Sequence, residues 1–106
     1  MLDDVLVIAM SEFGRTPRIN GHYGRDHWPE AWSMAMAGAG VVPGAVIGAT
    51  NKDGSDVDEF GYDVGNLFHT WYAALGVDSV NEEFYNADQP LPIAHHEMLP
   101  IKEVLA

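Results

Sequence analysis

The chain of 106 residues reads as an α/β protein on three observations. Val5–Met10 is a continuous apolar run, Ala31–Ala37 is a second short apolar segment between loop breakers, and Val64–Leu75 has the spacing of one amphipathic helix. The first run is rich in aliphatic and β-branched residues and is bounded by Asp3, Asp4 and Ser11. It predicts a strand buried on both faces, as in the centre of an α/β sheet. From Ser11 to Pro29 the breakers Gly14, Pro17, Gly21, Gly24 and Pro29 forbid a long regular element, so a long functional loop is expected. Alanine and methionine in "AWSMAMA" favour helix, but Pro29, Gly38 and Gly40 hem the segment in, and a strand is the preferred reading.

Ala45–Ile47 is read as another short strand, followed by the acidic loop "NKDGSDVDEFGYD". Its carboxylates from Asp53 to Asp63 form a solvated surface. In the helix Val64–Leu75, the residues Leu67, Phe68, Trp71, Tyr72 and Leu75 recur on one face. Asp63 or Asn66 is placed to cap its start, and Gly76 stands where a C′ glycine belongs. The tail from Asn81 to Leu99 carries Pro90 and Pro92 with little periodicity and is expected to wrap the surface before a short last element, Pro100–Ala106. No internal repeat is present.

Composition narrows the class of function. Hydrophobic residues make up 47% and charged residues 20%, a globular rather than disordered balance for one domain at most. Sixteen acidic against five basic residues give a net charge of −11, which repels nucleic acid and anionic membrane surfaces. The cations are not evenly spread, because Arg15, Arg18 and Arg25 all fall in one short segment. With no cysteine, disulfide and thiolate chemistry are excluded. "MLDDVLVIAMSEFG" lacks the basic start of a signal peptide and the length of a membrane span.

The residues with chemical potential cluster near that segment. Glu12 follows the first strand, where an α/β sheet delivers side chains to a ligand crevice, so it is a candidate metal ligand or a turn cap. Asp26 and His27 are adjacent and diverge on an extended chain, so one ligates while the other orients it. Imidazole and carboxylate together suit zinc, manganese or iron. Arg15 and Arg25 each offer a planar fork to a phosphate or sulfate, or else neutralise nearby aspartates. His69, on the apolar helix, reads as a packed or half-exposed core histidine, and His95, His96 and Glu97 resemble half of a metal site in an irregular tail. "GAGVVPG" fails the dinucleotide fingerprint at Pro43. The acidic loop fails the EF-hand spacing, and no nucleophile elbow or phosphate loop occurs.

The blocks "SEFGRTPRI", "GRDHWPEAW", "AGAGVVPGAVIGAT", "LFHTWYAALGVD" and "PIKEVLA", in this order, closely resemble the C-terminal part of a bacterial family of unknown function, numbered 1501. That family in turn looks like a branch of the alkaline phosphatase and sulfatase superfamily. The resemblance implies that residues 1–106 are a single partial domain, the C-terminal portion of a three-layer α/β/α fold. "SEFG" is similar to the superfamily's Ser-Asp-His-Gly element, with Glu12 at the metal-binding acid and Phe13 where the histidine would stand. His27 before "WPEAWSMAMAG" is similar to the metal-binding histidine of its phosphomutases. "GNLFHTWYAALG" resembles the last helix of those enzymes with His69 in place of a proline, which argues for a structural His69.

The function so implied is metal-dependent hydrolysis of small-molecule or glycan sulfate or phosphate esters. Glu12 and His27 would hold a divalent zinc, manganese or calcium ion, Asp26 would orient His27 or act as an extra ligand, and Arg15 and Arg25 would contact the oxyanion. The nucleophile and further acidic ligands would come from an N-terminal part of the same fold that these residues do not include. Family resemblance points to a periplasmic or secreted protein. The alternative is an exported binding or structural protein that keeps the fold and has lost catalysis, favoured by Phe13. A third reading is a small domain whose acidic loop binds calcium.

Overall fold

The protein is described by a computed structural model covering Met1–Ala106. Short strands form four two-stranded sheets beside one α-helix, a mixed arrangement consistent with the α/β expectation. Strand β1 (Leu6–Ala9) pairs with β4 (Ala35–Gly38). Two expectations are revised here. The second strand starts four residues later than Ala31, and β1 is not buried on both faces, since its burial alternates and Val7 is 51% exposed. A strand in a two-stranded sheet has one covered face, so its apolar run is only half used.

The chain divides into two compact units. The first comprises Met1–Val7, Ala37–Val46 and Tyr62–Ala106. Its helix α1 (Val64–Ala74) forms where the spacing predicts. Asp63 caps it by accepting the Val64 N–H at 2.6 Å, and the Asp63 N–H donates to Asn66 Oδ1 at 2.9 Å, which closes a capping box. At the other end Gly76 adopts φ +84°. The Val77 N–H reaches the Tyr72 carbonyl at 2.8 Å and the Gly76 N–H that of Ala73 at 3.0 Å, a Schellman ending.

The buried face of α1 differs from the predicted one. Leu67, His69, Thr70 and Ala74 are buried, whereas Phe68 and Leu75 remain 44% and 53% exposed. The cause is the irregular tail, whose backbone groups need partners. Thr70 Oγ1 accepts the Ile101 N–H at 2.8 Å and donates to the Asn66 carbonyl at 2.7 Å, while Asn66 Nδ2 donates to the Leu99 carbonyl at 3.0 Å. The face carrying these polar groups therefore turns toward the tail. Gly65 belongs to the same contact, because a Cβ there would run into the Met98 sulfur.

The tail, read as wrapping the surface with little periodicity, also holds an exposed hairpin. Strands β7 (Glu83–Asn86) and β8 (Gln89–Pro92) pair antiparallel from Glu83↔Pro92 to Asn86↔Gln89. The two prolines sit in a strand with no second neighbour, where a missing donor is tolerated. The last element is a short 3-10 turn over Lys102–Val104. Beside it Val41 bridges Leu105 and the Ala106 N–H donates to the Gly40 carbonyl at 2.8 Å.

The second unit comprises Ile8–Met36 and Ile47–Gly61. Strands β2 (Gly14–Arg15) and β3 (His27–Trp28) pair antiparallel, with Gly14 opposite Trp28 and Arg15 opposite His27. Gly14 lies so close to the Ala31 carbonyl that no side chain fits. Strands β5 (Ala49–Thr50) and β6 (Val57–Glu59) form a second hairpin inside what was read as a plain acidic loop. Its turn closes through the Asn51 N–H to the Asp56 carbonyl at 2.9 Å and the Gly54 N–H to the Asn51 carbonyl at 3.1 Å. The strand expected at Ala45–Ile47 forms instead at Ala49–Thr50, because pairing starts only after Gly48 bends the chain at φ +84° beside the Glu59 and Phe60 carbonyls.

Candidate functional site

The long loop anticipated between Ser11 and Pro29 contains the short strands β2 and β3 and the excursion that joins them. Its tip is a tight turn in which Asn20 does most of the folding. The Asn20 N–H donates to the Gly24 carbonyl at 2.8 Å, and Asn20 Oδ1 accepts from the His22 and Gly24 N–H groups at 2.8 and 3.1 Å. An asparagine that satisfies neighbouring backbone in this way replaces regular structure. Tyr23, at φ +61°, forms the exposed apex.

The expected site residues divide between this loop and its approach. Arg25 Nη1 donates to the carbonyls of Thr16 and Pro17 at 2.8 and 2.6 Å, and Arg15 Nη2 donates to the Arg25 carbonyl. Each arginine thus braces the opposite strand of the hairpin. Neither lies within ion-pairing distance of a carboxylate; the one such approach of a nitrogen to a carboxylate is His96 Nε2 to Glu97 at 3.5 Å. The Asp26 backbone pairs with Thr16, donating to Oγ1 at 3.1 Å and accepting the Thr16 N–H at 2.9 Å. One oxygen of its carboxylate accepts from Asn20 Nδ2 at 3.0 Å. His27 stacks on Phe13, with ring centroids 3.9 Å apart and planes inclined by 25°. Glu12, the residue before Phe13, is exposed with no side-chain hydrogen bond.

The hairpin therefore brings Arg15, Arg25, Asp26 and His27 together on exposed backbone, with the Phe13 ring against the imidazole. No three histidine, aspartate or glutamate side chains converge into a metal-holding group. The other histidine cluster is equally sparse, since the His95 and His96 rings stack at 5.2 Å and only Glu97 joins them.

Sequence reasoning missed the groove beside this hairpin, which has a volume of about 570 Å³. Thr16–Asn20, Asp26 and Trp28 line one side, and Asp53 and Ser55 of the β5–β6 turn line the other. Trp28 Nε1 donates to the Ser55 carbonyl at 2.7 Å and ties the two sides together. The clustering of Arg18 with the other arginines was a partial signal for it. Nothing in the local pattern pairs Trp28 with a residue 27 positions away.

His69 is indeed a core residue, with partners that the helix pattern did not reveal. It is 1% exposed, with Nδ1 2.6 Å from Ser79 Oγ and Nε2 2.6 Å from the His95 carbonyl. A carbonyl only accepts, so Nε2 carries a proton, while the serine hydroxyl can serve Nδ1 as donor or acceptor. The pair is sealed, with Ser79 itself 3% exposed, and the geometry is that of a structural staple.

No helix of the protein is long and apolar enough to cross a membrane. A family model described as "Protein of unknown function (DUF1501)" matches residues 1–105. No curated protein and no solved structure matches the chain.

Proposed function

The chain belongs to the DUF1501 family, and from that premise we propose that it is the C-terminal portion of an alkaline-phosphatase-like α/β/α domain serving metal-dependent hydrolysis of sulfate or phosphate esters. The observation that carries the reading is the pairing of Arg15 with His27 across β2–β3, next to Asp26 and Arg25. Cationic forks, an imidazole and a carboxylate in one exposed hairpin are the donor and acceptor set that an anionic ester at a divalent ion requires. Both arginines keep N–H groups beyond those that hold the loop.

The residues of this chain alone do not fit a complete metal site. Asp26 and His27 are adjacent, Glu12 stands apart from them in sequence, and no third donor joins the pair. In this reading Glu12, Asp26 and His27 are one side of a centre whose remaining ligands and nucleophile lie outside residues 1–106. The test is metal analysis of the full natural protein that contains this segment. We expect a bound divalent ion, zinc, manganese or calcium, that is lost in His27→Ala, together with turnover of aryl sulfates or phosphates that is lost in Glu12→Ala. Absence of the ion, or its retention in His27→Ala, removes the reading.

The Phe13–His27 stack favours a second reading, an exported binding or structural protein without catalysis. The ring occupies one face of the imidazole at the position where the superfamily places a further ligand. Bound metal without turnover of any tested ester would select it.

A further inference from the structure

The groove in the second unit is built from groups whose bonding state can be followed one by one. Asn20 Oδ1 is taken by the loop backbone, and its Nδ2 donates to Asp26. Thr16 Oγ1 is held between the Asp26 N–H and the Arg18 carbonyl, and Ser55 is engaged with Asn51. Among the lining side chains the charged groups with free capacity are the Arg18 guanidinium, the second oxygen of Asp26 and the Asp53 carboxylate. Trp28 lines the groove with them, and its indole is fixed in place by its bond to Ser55.

Charge selects the ligand. An anion in this groove meets Asp26 and Asp53, and an organic cation meets Arg18. A neutral polyhydroxylated molecule opposes none of them, because each hydroxyl both donates to a carboxylate and accepts from a guanidinium. A rigid aromatic wall with a few convergent polar groups is the ordinary make-up of a small-molecule site, and an indole face matches the apolar C–H face of a sugar ring. We propose that the groove is a binding site for a neutral pyranose sugar, stacked on Trp28 with its hydroxyls shared by Arg18, Asp26 and Asp53. This site does not depend on the hydrolase reading and stands if that reading fails.

The test is a nuclear magnetic resonance titration of the natural protein that contains this segment with the methyl glycosides of glucose, galactose and mannose, following the Trp28 indole N–H. At least one sugar is expected to shift that signal saturably. Asp53→Asn and Arg18→Gln each alter a side chain that makes no other hydrogen bond or ion pair, so the fold is retained. Each should weaken binding by about tenfold, the effect of losing one charge-assisted hydrogen bond. Trp28→Ala, followed instead on the Asp53 and Ser55 backbone amide signals of the groove, should abolish binding. The proposal is overturned if no sugar moves the Trp28 signal, if both Asp53→Asn and Arg18→Gln bind as tightly as the parent, or if sulfate, glycine or betaine saturates the groove at lower concentration than every sugar.

Discussion

His69 shows how one side chain can hold three segments of chain at once. Helix α1 presents it, Ser79 after the helix meets one ring nitrogen, and the tail at His95 meets the other. Ser79→Ala leaves a buried nitrogen without a partner and should cost about 1–3 kcal/mol. His69→Ala also opens a cavity and should cost about 3–5 kcal/mol, both read from urea denaturation midpoints. The sequence identified His69 as a core residue from the apolar pattern around it. Its partners were not legible, because Ser79 and the His95 carbonyl belong to irregular chain. Tyr62 gives a prediction in pH. Partial burial, the negative charge of Glu103 and their hydrogen bond at 3.3 Å raise its hydroxyl above the ordinary value of 10.0. A raised folded value means that the associated stability is present below pH 10 and is lost as the pH climbs through the raised value. Ultraviolet absorbance should show Tyr62 titrating later than free tyrosine, and Glu103→Gln should bring it back toward that value.

At the scale of elements, legibility followed the strength of local rules. Helix α1 was recoverable with both ends, since Asp63, Asn66 and Gly76 are cap signals that act within a few residues. Its buried face was not, because the tail and not the helix decides which side is covered. The β7–β8 hairpin was missed for a different reason. Its two-residue turn is Ala87-Asp88, with both residues at positive φ, +50° and +66°, where Asn-Gly would have announced it. An alanine in the left-handed region costs about 1 kcal/mol or more. Replacing the pair by Ala87→Asn and Asp88→Gly should therefore stabilise the hairpin by about 1 kcal/mol, seen as a higher denaturation midpoint with the same slope. The β5–β6 hairpin hid in the acidic stretch because its strands are short and exposed, with no alternating apolar side to read.

For the molecule as a whole, charge and core size set the conditions of stability. The buried apolar residues are Ala31 in the second unit and Leu67, Ala74 and Ile101 in the first. Cores this small support no more than about 5 kcal/mol. A net charge of −11 adds self-repulsion that salt screens within about 10 Å at 0.1 M. Raising sodium chloride from 10 to about 150 mM should thus raise the thermal midpoint, the reverse of what a fold held by surface ion pairs would show. The same charge was fully legible from composition. The groove was not, since it exists only when the β5–β6 turn comes back to the first hairpin.

That return rests on the bond from the Trp28 indole to Ser55, which closes a loop of 27 positions. A hydrogen bond between two hairpins that share one groove favours their opening together, as one cooperative unit. Amide hydrogens on either side of the link, at Thr16, Asn51 and Ser55, should then exchange with solvent deuterium at a common opening rate. A protein that loses the link would split that shared clock into two.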